Sequence, residues 1–116
     1  MPAVLIVDDD AHFRDRAARV LADGGYEVVG TAATLGQARA ILRDARPDAV
    51  LLDVHLPDGD GIAYAQELTG ADDAPRVLLT SSDAGAVPRR LLERCGAAGF
   101  VAKVDLAAVD LDEYLG

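Results

Sequence analysis

Short, unbroken apolar runs alternate with helix-period patterns along the whole chain, and this alternation limits the fold more than any other feature. Ala3 to Val7 is such a run, and it stops at Asp8, Asp9 and Asp10. Phe13, Ala17, Val20 and Leu21 then recur on one helical face, and Gly24 and Gly25 end the pattern. Glu27 to Ala32 reads as a second strand. Leu35, Ala38, Leu42 and Ala45 share one face of a second helix that Pro47 stops. Ala49 to Leu52 is a third strand and ends at Asp53. The strongest turn chemistry lies in Leu56 to Gly61, and a third helix runs from Gly61 to about Thr69 with Ile62, Ala65 and Leu68 inward. Val77 to Leu79 follows Pro75 as a fourth strand. The loop Thr80 to Gly85 leads to a fourth helix around Val87, Leu91 and Cys95, with Pro88 in its first turn and Gly96 at its end. Gly99 to Ala102 is a fifth strand. A last helix is expected from about Leu106 to Leu115, with Ala107, Leu111, Tyr114 and Leu115 on one side.

Strands and helices in strict alternation imply a parallel sheet covered on both faces, and continuous apolar strands agree with that. Right-handed crossovers make a five-stranded doubly wound sheet in the order 2-1-3-4-5 the expected arrangement, a flavodoxin-like three-layer αβα fold. An eight-fold barrel needs about twice this length. Residues 1–116 read as one domain. Hydrophobic residues make up 51% and aromatics 4%, so the core is aliphatic. The net charge of −9 argues against a basic face tracking nucleic acid. Cys95 is the single cysteine, which excludes an internal disulfide. No apolar run approaches the roughly 20 residues of a membrane span, and no basic segment precedes the first apolar run. A cytoplasmic protein is the expectation.

Ligands in an open parallel sheet bind beyond the carboxyl ends of the strands. In the order above, the ends of strands 1, 3, 4 and 5 converge. They carry Asp8, Asp9 and Asp10, then Asp53, then Thr80, Ser81 and Ser82, then Lys103. Carboxylates brought this close raise one another's pKa or recruit a cation. A hard divalent ion with oxygen ligands, such as Mg²⁺, suits them and bridges to phosphate oxygens. Lys103 supplies a mobile positive charge and Thr80 a hydroxyl donor. The set suits phosphoryl transfer to an aspartate, which needs no general base because the carboxylate is already ionised.

On these residues the sequence resembles the receiver domains of two-component response regulators along essentially its whole length. The matching stretches are Val4 to Asp10, Val50 to Gly61, Val77 to Ser81 and Gly99 to Lys103. The resemblance implies that Asp53 is the phosphoacceptor and that Asp8 and Asp9 hold Mg²⁺, or another divalent cation such as Mn²⁺. It gives the backbone carbonyl of His55 as a further metal ligand and Lys103 as the partner of the phosphoryl group. Thr80 becomes the switch hydroxyl, and Phe100 the aromatic that changes rotamer with it. The implied donor is a sensor histidine kinase or phosphotransfer protein, and the implied product alters a surface of helix 4, strand 5 and helix 5. That surface binds a partner or a second copy in a homodimer. Such a domain is not a conventional enzyme, although it catalyses its own phosphorylation and dephosphorylation. In one respect this chain departs from the pattern. The family lysine is commonly followed by a cis-proline, whereas Val104 follows Lys103, and a non-proline cis bond costs about 2.5–4 kcal/mol, so a trans bond is expected.

Blander readings compete at several positions. Asp8, Asp9 and Asp10 could all cap the first helix, and Asp10 is expected to do so. Ser81 competes with Thr80, and Phe100 with an ordinary core role. The His55 side chain is expected to border the site without ligating, His12 to face solvent, and Cys95 to be buried near a helix end. Arg89, Arg90 and Arg94 face either solvent or a partner. A hydrolase of the aspartyl-phosphate type would carry an acid where His55 stands, and would need a substrate cap. A receiver-shaped module that is never phosphorylated would lack one of the site residues. Asp58 to Gly61 lacks the ligand spacing of an EF-hand, and the acidic first turn is unlike a flavin phosphate cradle.

Overall fold

The computed structural model describes residues 1–116. In chain order its elements are β1 (Ala3–Val7), α1 (Ala11–Asp23), β2 (Glu27–Ala32), α2 (Leu35–Asp44), β3 (Ala49–Asp53), β4 (His55–Leu56) and β5 (Gly59–Asp60). There follow α3 (Gly61–Thr69), β6 (Arg76–Ser81), α4 (Arg89–Cys95), β7 (Gly99–Ala102), a 3₁₀ turn (Lys103–Asp105) and α5 (Asp112–Leu115). The main sheet is five-stranded in the order β2-β1-β3-β6-β7, with every neighbouring pair parallel. This is the doubly wound order expected from the alternation. No helix is long and apolar enough to cross a membrane.

The apolar runs are continuous because both sheet faces are covered, yet each face takes alternate residues. Leu5, Val7, Val50, Leu52, Val77 and Leu79 pack with Leu35, Ala38, Tyr64, Ala65 and Cys95 on the side of α2, α3 and α4. Val4, Ile6, Ala49, Leu51, Leu78 and Val101 pack with Phe13, Ala17, Leu21, Leu106, Leu111 and Leu115 on the side of α1 and α5. Each fully buried aliphatic side chain of this kind stabilises the fold by about 1.5–3 kcal/mol relative to exposure. The sheet is thereby a rigid base, and the strand ends that carry the polar residues are fixed relative to one another.

Several boundaries differ from the sequence expectation. β6 runs to Ser81 rather than Leu79, so Thr80 is a strand residue in register with Asp53. The turn-rich segment folds into a two-residue antiparallel hairpin, β4 against β5. α4 begins at Arg89, leaving Val87 ahead of the helix and Pro88 at its N-cap. Leu91 lies on the outer side of α4 at 37% exposure, while Cys95 is buried. Gly96 ends that helix at φ +79, and a Cβ there would meet Thr69 Oγ1 at 2.5 Å, so two constraints call for glycine.

The largest correction concerns the last helix. It does not run from Leu106 to Leu115; only Asp112 to Leu115 is helical, preceded by the 3₁₀ turn and further turns. Asp110 accepts a hydrogen bond from the Asp112 N–H at 3.1 Å, a local alternative to the helical ladder. The Ala108 N–H likewise bonds back to the Asp105 carbonyl at 2.9 Å. Of the side chains expected inward, Leu111 and Leu115 are buried, Tyr114 is half-buried and Ala107 is exposed.

Candidate functional site

β1 delivers Asp8 to the carboxyl edge of the sheet, and the turn into α1 separates the three acids by environment. Asp8 is buried at 1% exposure, while Asp9 and Asp10 are exposed. Asp10 caps α1, accepting from the N–H groups of His12 at 3.0 Å and Phe13 at 3.4 Å, and the Phe13 bond leads in holding its pKa low. Asp8 Oδ1 accepts from the Asp10 N–H at 2.9 Å. Arg14 reaches back from α1 to donate to the Asp8 carbonyl at 2.8 Å, which pins the turn.

β3 places Asp53 beside this turn at 4% exposure, and its Oδ1 accepts from the His55 N–H at 3.2 Å. The chain turns sharply there. The Gly61 N–H donates to the Val54 carbonyl at 2.8 Å, and a Cβ on Gly61 would stand 2.1 Å from the Asp53 carbonyl oxygen. Only glycine allows α3 to start so close to the phosphoacceptor candidate. On the hairpin, Asp58 accepts from the N–H groups of Leu35 at 2.8 Å and Gly36 at 3.0 Å. Those two bonds hold its pKa low and fasten the segment after Asp53 to the start of α2.

Lys103 follows β7 and brings its ammonium between the two buried acids. Nζ lies 2.7 Å from Asp8 Oδ2 and 3.3 Å from Asp53 Oδ2. The first contact is a close ion pair that lies off the angle of a well-directed hydrogen bond. Burial raises the Asp8 pKa, and the Lys103 contact only partly offsets this. Burial works to lower the Lys103 pKa, but the Asp8 and Asp53 carboxylates outweigh it and the net shift is upward. The peptide bond to Val104 is trans, as in the rest of the chain.

Asp8, Asp9 and Asp53 each present a carboxylate oxygen, all within 4.8 Å of one another. The donor set fits a hard divalent cation: all oxygen, two members buried and rigid, and Asp9 on the open side where an ion keeps its waters. Thr80 is fully buried, and its Oγ1 has no hydrogen-bond partner. Ser81 Oγ is engaged, accepting from the Asp83 N–H at 3.0 Å. Phe100 is half-buried against the core on the α2–α4 face. The His55 and His12 side chains are exposed. The fold thus brings together Asp8, Asp9, Asp53, Thr80 and Lys103. Arg14, Gly61 and Asp58 support that group; by sequence Gly61 reads as a helix start and Asp58 as a turn residue, neither as a support of Asp53, and nothing singles out Arg14. An Asp just ahead of a glycine and a Gly at a helix start were the available signals.

The model of the response regulator receiver domain matches residues 4–113. A protein-glutamate methylesterase/protein-glutamine glutaminase of Anaeromyxobacter dehalogenans is 38% identical over 112 residues, which is 96% of this chain and 32% of that protein. The transcriptional regulatory protein PdtaR of Mycobacterium tuberculosis is 38% identical over 99 residues, 85% of this chain and 46% of that protein. The chain therefore spans less than half the length of these curated relatives. Among solved structures, a LuxR-family two-component response regulator from Aurantimonas superposes with a TM-score of 0.82 at 31% identity, covering 93% of this chain and 79% of that one. The signal receiver domain of NarL from Mycobacterium tuberculosis gives a TM-score of 0.81 at 30% identity, covering 96% and 94%. By fold, by the acids and lysine gathered at one edge, and by these likenesses, the chain belongs to the response regulator receiver domains of two-component signal transduction.

Proposed function

We propose that Asp53 accepts a phosphoryl group from a phosphohistidine donor, a sensor histidine kinase or a phosphotransfer protein in the cytoplasm. The observation that carries this reading is the single ammonium of Lys103 held between buried Asp8 and Asp53, with Thr80 and its unpartnered hydroxyl in register with Asp53 on the next strand. A carboxylate oxygen of Asp53 attacks phosphorus; the new O–P bond forms as the donor's N–P bond breaks. Asp8, Asp9 and the backbone carbonyl of His55 would hold Mg²⁺ or Mn²⁺ with Asp53, and the ion supplies charge neutralisation on the phosphoryl oxygens.

Lys103 leaves Asp53 Oδ2 for a phosphoryl oxygen, a move of little distance on a flexible stem. Thr80 gains the acceptor that its buried hydroxyl lacks. Its displacement opens space for Phe100 to change rotamer, which alters the face of α4, β7 and α5 toward a partner or a second copy. A ligand shifts such an equilibrium only by its differential affinity, and the new Thr80 hydrogen bond is one such difference. The domain thus promotes its own phosphorylation, and water attacking the same phosphorus reverses it. Incubation with a small acyl phosphate and Mg²⁺ is expected to add one phosphoryl group, read by intact mass, and Asp53→Asn to add none. Equal labelling of the variant would sink the assignment.

A further inference from the structure

The ring of Phe13 lies beneath the functional ammonium: Lys103 Nζ stands 4.8 Å from the ring centroid. We infer that Phe13 is a positioning residue for Lys103, its π-face holding the ammonium beside Asp53 while the carboxylates are engaged elsewhere. The inference rests on the site proposed above and deepens it.

Lys103 touches two kinds of neighbour. The carboxylates, at 2.7 and 3.3 Å, are the stronger. They are also the oxygens that a divalent ion and a phosphoryl group claim. Once those lone pairs are occupied, the carboxylates attract the ammonium less, and a nearby divalent charge repels it. The aromatic face uses none of those lone pairs and attracts a cation through its quadrupole. The contact is largely shielded from water, with Phe13 at 3% exposure and the Lys103 side chain at 13%.

Phe13 is itself buried. It packs in the core with Ala17, Ile6 and Leu106, and it lies in the first turn of α1, capped by Asp10. Lys103, by contrast, ends on four flexible carbons, and the following Val104 is 83% exposed, so that neighbour gives it no packing. The Arg16 guanidinium also approaches the Phe13 ring, at 5.3 Å, but from an exposed side chain and at greater distance.

Replacing Phe13 by mono-, di- and trifluorinated phenylalanine drains the π-face while nearly preserving shape and apolarity. The rate of labelling by a small acyl phosphate is expected to fall stepwise with fluorine number, by about tenfold in all, which is about 1.4 kcal/mol. Mg²⁺ affinity, measured separately by titration, is expected to stay unchanged. In the unphosphorylated protein the Lys103 ε-methylene protons are expected at ring-shifted NMR positions that revert in Phe13→Leu. A flat rate across the fluorinated series, even with a slow Phe13→Leu, would show that Phe13 only fills the core and overturn the inference. Unshifted ε-methylene protons in the wild type would overturn it too, while leaving the chemistry at Asp53 intact. If Asp53→Asn labels like the wild type, the site assignment itself fails and takes the inference with it; the fluorine series is then not needed to tell the two failures apart.

Discussion

Thr80 carries a local cost in this structure. Its hydroxyl is fully buried without a partner, and an unsatisfied buried polar group of this kind costs about 1–3 kcal/mol. Valine has nearly the same shape and no hydroxyl. Thr80→Val is therefore expected to raise the stability of the unphosphorylated protein by about 1 kcal/mol, measured by urea denaturation. The same variant is expected to take a phosphoryl group and yet lose the conformational response, read by the NMR shifts of the α4–β7–α5 face. A Thr80→Val protein less stable than wild type would mean that the hydroxyl is satisfied at rest, which removes the reason for it to move. Ser81→Ala makes the contrast, because Ser81 Oγ already accepts from Asp83 and its loss is expected to destabilise. Strand pattern alone could not separate these two hydroxyls. Both lie at the end of one apolar run, and only the partner of each side chain distinguishes them.

Two tethers decide how the elements around the site behave. Tyr26, just ahead of β2, donates its hydroxyl to Asp112 Oδ1 and so holds the four-residue α5. Burial and then the Asp112 carboxylate push the Tyr26 pKa up to about 12 from an ordinary 10.0. The folded-state value is the higher, so this contribution is whole below about pH 10 and is lost as pH rises toward about 12. Tyr26→Phe is expected to cost about 1 kcal/mol and to speed hydrogen exchange of the amides in α5. It is also expected to flatten the alkaline loss of stability seen in the wild type. Asp58 shows the opposite sign. Its pKa is held low by the α2 N–H groups, so its contribution is present above about pH 4 and is lost as pH falls through the lower folded value. Asp58→Ala is expected to lower Tm at pH 7, with the gap to wild type closing in acid. Both tethers join residues distant in sequence, 86 apart for Tyr26 and Asp112 and 23 for Leu35 and Asp58, and neither was visible in periodicity. The strands β1, β3 and β7 were legible because a buried parallel strand is a continuous apolar run bounded by turn residues. The last helix was not. Leu111, Tyr114 and Leu115 carry the right spacing, but Asp110, four residues after the expected start at Leu106, bonds the Asp112 N–H and breaks the pattern. The acids, Thr80 and Lys103 were legible as strand ends; the hold of Phe13 and Arg14 on them depends on where α1 crosses the sheet.

Over the whole molecule the charge of −9 is spread on a body with a radius of gyration of 12.5 Å. Self-repulsion on that scale opposes compaction, and the Debye length of about 10 Å at 0.1 M salt is comparable to it. Potassium chloride is therefore expected to raise Tm gradually by screening alone. Magnesium chloride at matched ionic strength does this and, if Asp8, Asp9 and Asp53 hold the ion, something more. An ion that binds only the folded state adds RT ln(1 + [L]/Kd), about 1.4 kcal/mol at ten times Kd, or roughly 5 °C in a chain of this size. The excess over potassium chloride is expected to saturate with magnesium concentration, whereas screening does not. Asp9→Asn separates local binding from a general effect of divalent charge on an acidic surface. It changes the net charge by one, so screening barely alters, but it removes the exposed member of the carboxylate group. The saturating excess is expected to disappear in that variant while the potassium response persists. An excess that survives Asp9→Asn would place the ion elsewhere on the acidic surface and leave Lys103 as the only positive charge serving Asp53.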